Sequence, residues 1–228
     1  MGFDSKKFIR FLLDKGCIGF YTDPIKLSSG QESNWYVNLR ELQRDFKTRD
    51  EYVDFITAFL RSHVKHARQI VGVPDSATLP AIDASEMLGL EEFMFLRQAP
   101  KSHGVSGAFP YSLAPKGVTG ESTIVLEDTL TTADSAIKVS LNLNEGGAKV
   151  NGIVVVCYRE DVRWGGELPH RYIEKYMKIP VYIMSRATQI LPEAIKRFNP
   201  SPHIIDSLSQ EYSYNPDLVA DITAAKQK

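Results

Sequence analysis

The chain has 228 residues, 43% of them hydrophobic and 24% charged. These are the proportions of a globular protein with enough apolar material for a core, and they exclude a disordered or fibrous chain. At roughly 150 residues per domain the length fits one domain with embellishments. Lys and Arg number 27 against 28 Asp and Glu, a net charge of −1. That balance argues against a non-specific nucleic-acid coat or a polybasic membrane binder.

Phe8, Phe11 and Leu12 have helical spacing and Gly16 follows as a stop, which predicts an amphipathic helix over about 4–15. Residues 20–30 are turn-rich, and 35–39 reads as a short strand. Asp50 is a candidate N-cap, with Tyr52, Phe55, Ile56, Phe59 and Leu60 behind it at helical spacing. Strands are then expected at 70–73, 93–96, 123–126, 150–158 and 181–184. Helices are expected at about 77–88, 134–146, 169–177 and 189–197, with irregular chain after Asn199-Pro200-Ser201-Pro202. The strands are short continuous apolar runs, as strands buried on both faces are. Alternating with helices, they predict an α/β fold: an open parallel sheet flanked by helices.

Cys17 and Cys157 lie among apolar neighbours and form no CxxC pair. They read as small buried hydrophobes, with neither a zinc ribbon nor a redox pair on offer. Without a signal peptide, a reducing cytoplasm is the expected location. No apolar run approaches the roughly 18 residues needed to span a bilayer. Met1-Gly2 is followed by Lys6 where a myristoylation motif wants Ser or Thr. His63, His66, His170 and His203 stand in no motif and read as structural or solvent-facing.

In open parallel sheets ligands bind off the carboxyl ends of the strands. One strand end here carries chemistry: 123–126 runs into Glu127-Asp128, then Thr129-Leu130-Thr131-Thr132-Ala133-Asp134-Ser135, before a helix. Two adjacent carboxylates at a buried mouth are costly without partners, and the vicinal hydroxyls of a ribose are suitable ones. The hydroxyl-rich turn can cradle a phosphate at a helix N-terminus. A diol reader followed by a phosphate cradle is a ribose-5-phosphate site. An ordinary N-capped helix after a strand is the plainer reading of the same residues.

This segment resembles the signature of the type I phosphoribosyltransferases, which bind 5-phosphoribosyl-1-diphosphate (PRPP). Three further stretches are similar to the orotate phosphoribosyltransferase branch. These are Leu27-Ser28-Ser29-Gly30 with Tyr36, Val37 and Asn38; Arg97-Gln98-Ala99-Pro100-Lys101-Ser102-His103-Gly104; and the run from Val154 to Arg159. The resemblance covers about residues 7–185. It implies a core at about 46–184 and a small hood from about 1–45 and 185–228, in a single domain. It also implies Lys101, His103 and Asp128 as catalytic residues. Residues 97–116 hold Arg97, Lys101 and Lys116 and no acid, a basic loop suited to a departing diphosphate. The PRPP contacts implied are Arg97, Gln98, Lys101, His103, Glu127, Asp128, Thr129, Thr131, Thr132, Ala133, Asp134 and Ser135. Orotate would meet Tyr36, Val37, Thr131 and Arg159, the last as a guanidinium fork on its carboxylate. Mg²⁺ would arrive on PRPP, with no protein metal ligands. A homodimer is implied, the 98–110 loop reaching the neighbouring site, with no nucleic-acid or membrane partner.

The chain departs from the family's pattern at Ala133-Asp134, where glycine is usual, at Ser28, Ser76 and Gln98, where lysines are expected, and at Val105, often Glu. Two other functions therefore remain open: a phosphoribosyltransferase for another base, and a non-catalytic PRPP- or nucleotide-binding regulator.

Overall fold

The computed structural model describes residues 2–27, 29–91, 93–99, 122–161 and 166–225. Helix α1 (Ser5–Asp14) is capped by Asp4, whose carboxylate accepts from the backbone of Lys6 and Lys7. An antiparallel hairpin follows, β1 (Ile18–Lys26) and β2 (Glu32–Val37). The turn-rich sequence at 20–30 is thus largely strand. Its Asp23-Pro24 sits where the register shifts between Phe20 and Ile25, a place that tolerates proline because the ladder is already broken. The strand expected at 35–39 begins earlier, and Leu39–Gln43 turns into a short 3-10 segment.

Helix α2 (Phe46–His63) is capped by Asp45 rather than Asp50. Asp45 has extended backbone and accepts from Thr48 N at 2.9 Å, whereas Asp50 lies inside the helix, where its side chain has no open amide to satisfy. Next come β3 (Gln69–Gly72), α3 (Thr78–Met87), β4 (Ser122–Leu130), α4 (Asp134–Glu145), β5 (Lys149–Tyr158), α5 (Pro169–Tyr172) with a wider turn at Ile173–Met177, β6 (Val181–Arg186) and α6 (Ala187–Phe198). At 93–96 the pattern is strand-like, Met94 and Leu96 buried and Phe93 and Phe95 exposed, but only Leu96 makes a β-bridge. Beyond Asn199 the chain is helical: Ser201 precedes Pro202 at the first position of α7 (Pro202–Glu211), and α8 (Pro216–Ala225) follows. Proline there punctuates without preventing a helix, because the first turn has no use for its missing N–H.

The described sheet is four-stranded and parallel, in the order β3-β4-β5-β6. Its strands alternate between two cores, as expected of a sheet buried on both faces. Ile70, Ile124, Leu126, Val154, Val156 and Met184 face a large cluster that includes α1, α2, α6, α7 and α8. Val71, Val125, Ile153 and Val155 face a smaller one under α4 and Ile173. Gly72 ends β3 where a Cβ would lie 2.2 Å from Ala77 O. Only glycine lets α3 start so close to the strand, and that closeness sets the loop Val73-Pro74-Asp75-Ser76 beside the end of β4. The peptide bond between Pro74 and Asp75 is cis. Cys17 and Cys157 are buried and free, and burial pushes both thiols up to about 12, as inert core residues require. Among the described residues no helix is long and apolar enough to cross a membrane.

Candidate active site

The ladder between β4 and β5 continues through Glu127↔Val155 to Leu130↔Tyr158, so the acidic pair lies within the strand and not beyond it. Glu127 is 5% exposed. Burial above all, and then the neighbouring Asp128, push its carboxyl well above the ordinary value. Asp128 is half-buried and accepts from Thr129 N at 2.7 Å. Both carboxyls line one cavity, where their oxygens can accept from sugar hydroxyls.

The turn after β4 takes the strained form. Ala133 has φ 70° and ψ 8°, the left-handed region, and starts α4 without a side-chain cap. Thr132 Oγ1 donates to Asp134 Oδ2 at 2.7 Å, so one hydroxyl of this turn is already engaged by an acid of the same turn.

A cavity of about 280 Å³ opens at this mouth. It brings together Tyr36, Val37, Gln98, Glu127, Asp128, Thr129, Thr131, Ser135 and Arg159 from the sequence expectation. Thr132, Ala133 and Asp134 stand in the turn beside it and do not line it. Arg97 lines an adjoining cavity with Ser135 and Lys138, and its Nε is buried with no hydrogen-bond partner. Lys101 and His103, like Lys116, Val105 and the rest of 100–121, lie outside the described residues, as does Ser28. Lys26, Arg40, Asp75 and Ser76 also line the cavity. Arg40 was not a site candidate from the sequence, although a cation three residues past Val37, at the end of β2, was a usable signal.

Arg159 is 1% exposed and heavily engaged. Its Nε donates to Asp161 Oδ2 at 3.2 Å, Nη1 to Trp35 O at 3.1 Å, and Nη2 to Ser33 Oγ at 3.1 Å and Glu211 Oε1 at 2.6 Å. The guanidinium also lies 4.2 Å from the Trp35 ring centre, and Tyr212 Oη donates to Arg159 O. Of the five N–H donors of a guanidinium, one on Nη1 is left over. A substrate carboxylate could take a single bond there and not the two-pronged one expected. Of the unassigned histidines, His63 stacks on Phe59 with centroids 4.1 Å apart, and His170 meets Tyr158 Oη at 3.1 Å. Both have structural partners.

A parallel sheet whose central strand ends in a buried acid pair, a hydroxyl-rich turn and a helix is the architecture of the type I phosphoribosyltransferases, and the chain has that fold. It superposes on the UMP synthase of Leishmania donovani with a TM-score of 0.67 at 21% identity, over 98% of this chain and 42% of that one. The chain thus spans less than half the length of that protein. On the orotate phosphoribosyltransferase of Francisella tularensis the TM-score is 0.67 at 18% identity, over 91% of this chain and 98% of that one. No protein-family model matches.

In sequence the chain is similar to orotate phosphoribosyltransferases, which bears out the resemblance read from its motifs. It is 28% identical over 157 residues to the enzyme of Pyrococcus abyssi, 69% of this chain and 82% of the relative. To the enzyme of Aquifex aeolicus it is 27% identical over 185 residues, 79% and 94%.

Proposed function

We propose that the chain is an orotate phosphoribosyltransferase, a pentosyltransferase of pyrimidine biosynthesis that moves phosphoribosyl from PRPP to orotate, giving orotidine 5′-monophosphate and diphosphate. The observation that carries this reading is one cavity in which the Glu127-Asp128 pair faces Tyr36 and Val37 of the hairpin. Glu127 and Asp128 hold the ribose hydroxyls, and the Asp128 charge favours the positive anomeric carbon of the transition state. Thr131 to Ser135 receive the 5-phosphate at the start of α4. Tyr36 and Val37 wall the pyrimidine, whose ring nitrogen attacks as diphosphate leaves. Lys101 and His103 supply charge and a proton to the leaving group.

Asp75 and Asp128 are the hard oxygen donors beside the diphosphate position, and among the described residues no group of three potential ligands could cage a metal. That donor set fits Mg²⁺ carried in on PRPP with most of its waters kept. Bound there, the metal neutralises diphosphate charge. We further propose a single domain with a hood from the terminal segments, a cytoplasmic homodimer, and the 98–110 loop shared between sites. A stable monomer by sedimentation at assay concentration would remove the dimer.

Orotate loses near-ultraviolet absorbance when ribosylated, so incubation with Mg²⁺-PRPP tests the reaction directly. Folded protein that gives no PRPP-dependent absorbance loss overturns the reading. One observation favours a second reading, a phosphoribosyltransferase for an uncharged base: the Arg159 donors are largely taken by Asp161, Glu211, Ser33 and Trp35. Turnover of orotate alone in a panel of bases would exclude it.

A further inference from the structure

Three cations line the active-site cavity: Lys26, Arg40 and Arg159. Arg159 is matched by Asp161 and Glu211. Arg40 is exposed, and among the described residues no carboxylate forms an ion pair with it. It is nevertheless positioned. Its Nε donates to Ser76 Oγ at 3.2 Å, and Gln43, from the same 3-10 segment, donates to Ser76 O at 2.8 Å. These two bonds dock the segment Leu39–Gln43 against the loop after β3. Because Nε is the atom used, both Nη nitrogens remain as a fork for two oxygens of one anion.

Which anion is set by place. The 5-phosphate belongs at the start of α4, on the far side of Asp128, and the base belongs against the hairpin. The loop after β3 stands on the other flank of β4, held by Val73 N to Leu126 O at 2.9 Å. Gln98, where the acid-free segment begins, is tied to that loop through Asp75 Oδ2 at 2.5 Å. With the ribose hydroxyls on the acid pair and the 5-phosphate at α4, as in the function proposed above, this flank is the part of the cavity left for the diphosphate. The residues of the loop itself offer no cation: Asp75 is acidic and Ser76 neutral.

Building on the function proposed above, we propose that Arg40 binds the diphosphate of PRPP, with Ser76 as the small residue that seats it. The charge reaches the pocket from the hairpin side, and the loop after β3 need not supply it. A long side chain at position 76 would compete for the space Arg40 fills, and could also replace it.

Calorimetric titration with inorganic diphosphate in MgCl₂ tests this without turnover. Arg40→Ala should weaken diphosphate binding by about tenfold or more and leave orotate affinity within about twofold. Arg40→Lys should retain part of the binding, since it restores charge but not the fork. The double variant Arg40→Ala with Ser76→Lys should regain most of it, a rescue that a merely structural role for Arg40 would not show. Unchanged diphosphate affinity in Arg40→Ala overturns the assignment while leaving the proposed reaction intact. Equal loss of diphosphate and orotate also overturns it, since Arg40 would then be shaping the whole pocket. Wild-type protein that binds neither diphosphate nor PRPP overturns both the assignment and the reaction it rests on.

Discussion

Two clusters of buried charge lie within one strand of each other, and they are built on opposite principles. Around Arg159 at the end of β5, one cation serves Asp161 and Glu211, two further N–H groups go to Trp35 O and Ser33 Oγ, and one N–H on Nη1 is left over. At the end of β4, the partners that the described residues give Glu127 and Asp128 are each other and nearby backbone N–H groups, with no cation among them. A charge cluster that closes on itself ties segments together, here β2, β5 and α7. One left open at a cavity wall is stabilised only when something binds. Each place holds two acids, and the presence of a cation separates them.

The comparison can be broken most forcefully at Arg159. Arg159→Met leaves Asp161 and Glu211 buried without their cation, which should cost about 3–5 kcal/mol. At this chain length that is a fall in Tm of roughly 10 °C or more, seen by calorimetry. A Tm within about 2 °C of wild type, with a raised KM for orotate, would make Arg159 a substrate residue and erase the contrast. Asp128→Asn is the mirror case. It should cut kcat/KM about 100-fold in the orotate assay, the scale of a lost electrostatic group, with Tm unchanged or higher. A marked drop in Tm would show that Asp128 is structural.

Glu127 gives a pH signature. Its ordinary value is 4.5, and burial raises it well above that in the folded protein. Its contribution to stability is therefore fully present below about pH 4.5 and is lost as pH rises toward the folded value, because the unfolded chain has by then released the proton. Glu127→Gln should flatten that decline, measured by denaturant unfolding from pH 5 to 9. An unchanged profile would mean that Glu127 is ionised and partnered after all.

The smallest effects are expected in the turn. Ala133→Gly removes a left-handed alanine and should stabilise by up to about 1 kcal/mol after the extra chain entropy of glycine is subtracted. Asp134→Asn removes an acid from the phosphate cradle. With about 1 kcal/mol of repulsion at a solvated 4 Å separation, PRPP should bind roughly fivefold tighter by titration. Weaker binding would show that Asp134 orders Thr132 for the phosphate.

Most of the α/β core was legible because its signals are local. Apolar runs such as Val154 to Tyr158 in β5 announce strands buried on two faces, and the spacing of Phe55, Ile56, Phe59 and Leu60 announces α2. The errors fell where a distant partner decides. Asp50 and Asp45 are equally good caps as residues, but only Asp45 has extended backbone. Asp23-Pro24 reads as a turn until β2 is placed beside it. The acid pair and its hydroxyl turn were visible as a run of residues, and so were the positions of Ala133 and Asp134. What the run did not contain was burial: Glu127 and Asp128 look alike in sequence, yet β5 and the two cores bury Glu127 more deeply, which raises its carboxyl pKa.

By itself the sequence determined a parallel α/β sheet and set an acid pair and a hydroxyl-rich turn at one strand end, because both are written in contiguous residues. The tertiary structure alone decided which charges are free. Arg159 and Arg40 are both guanidinium groups near the same cavity, and nothing local distinguishes them. Asp161 and Glu211, the latter 52 residues on in α7, consume the first. Ser76, 36 residues on from Arg40, positions the second without neutralising it. Electrostatics depends on distance in space, and chain order does not record that distance.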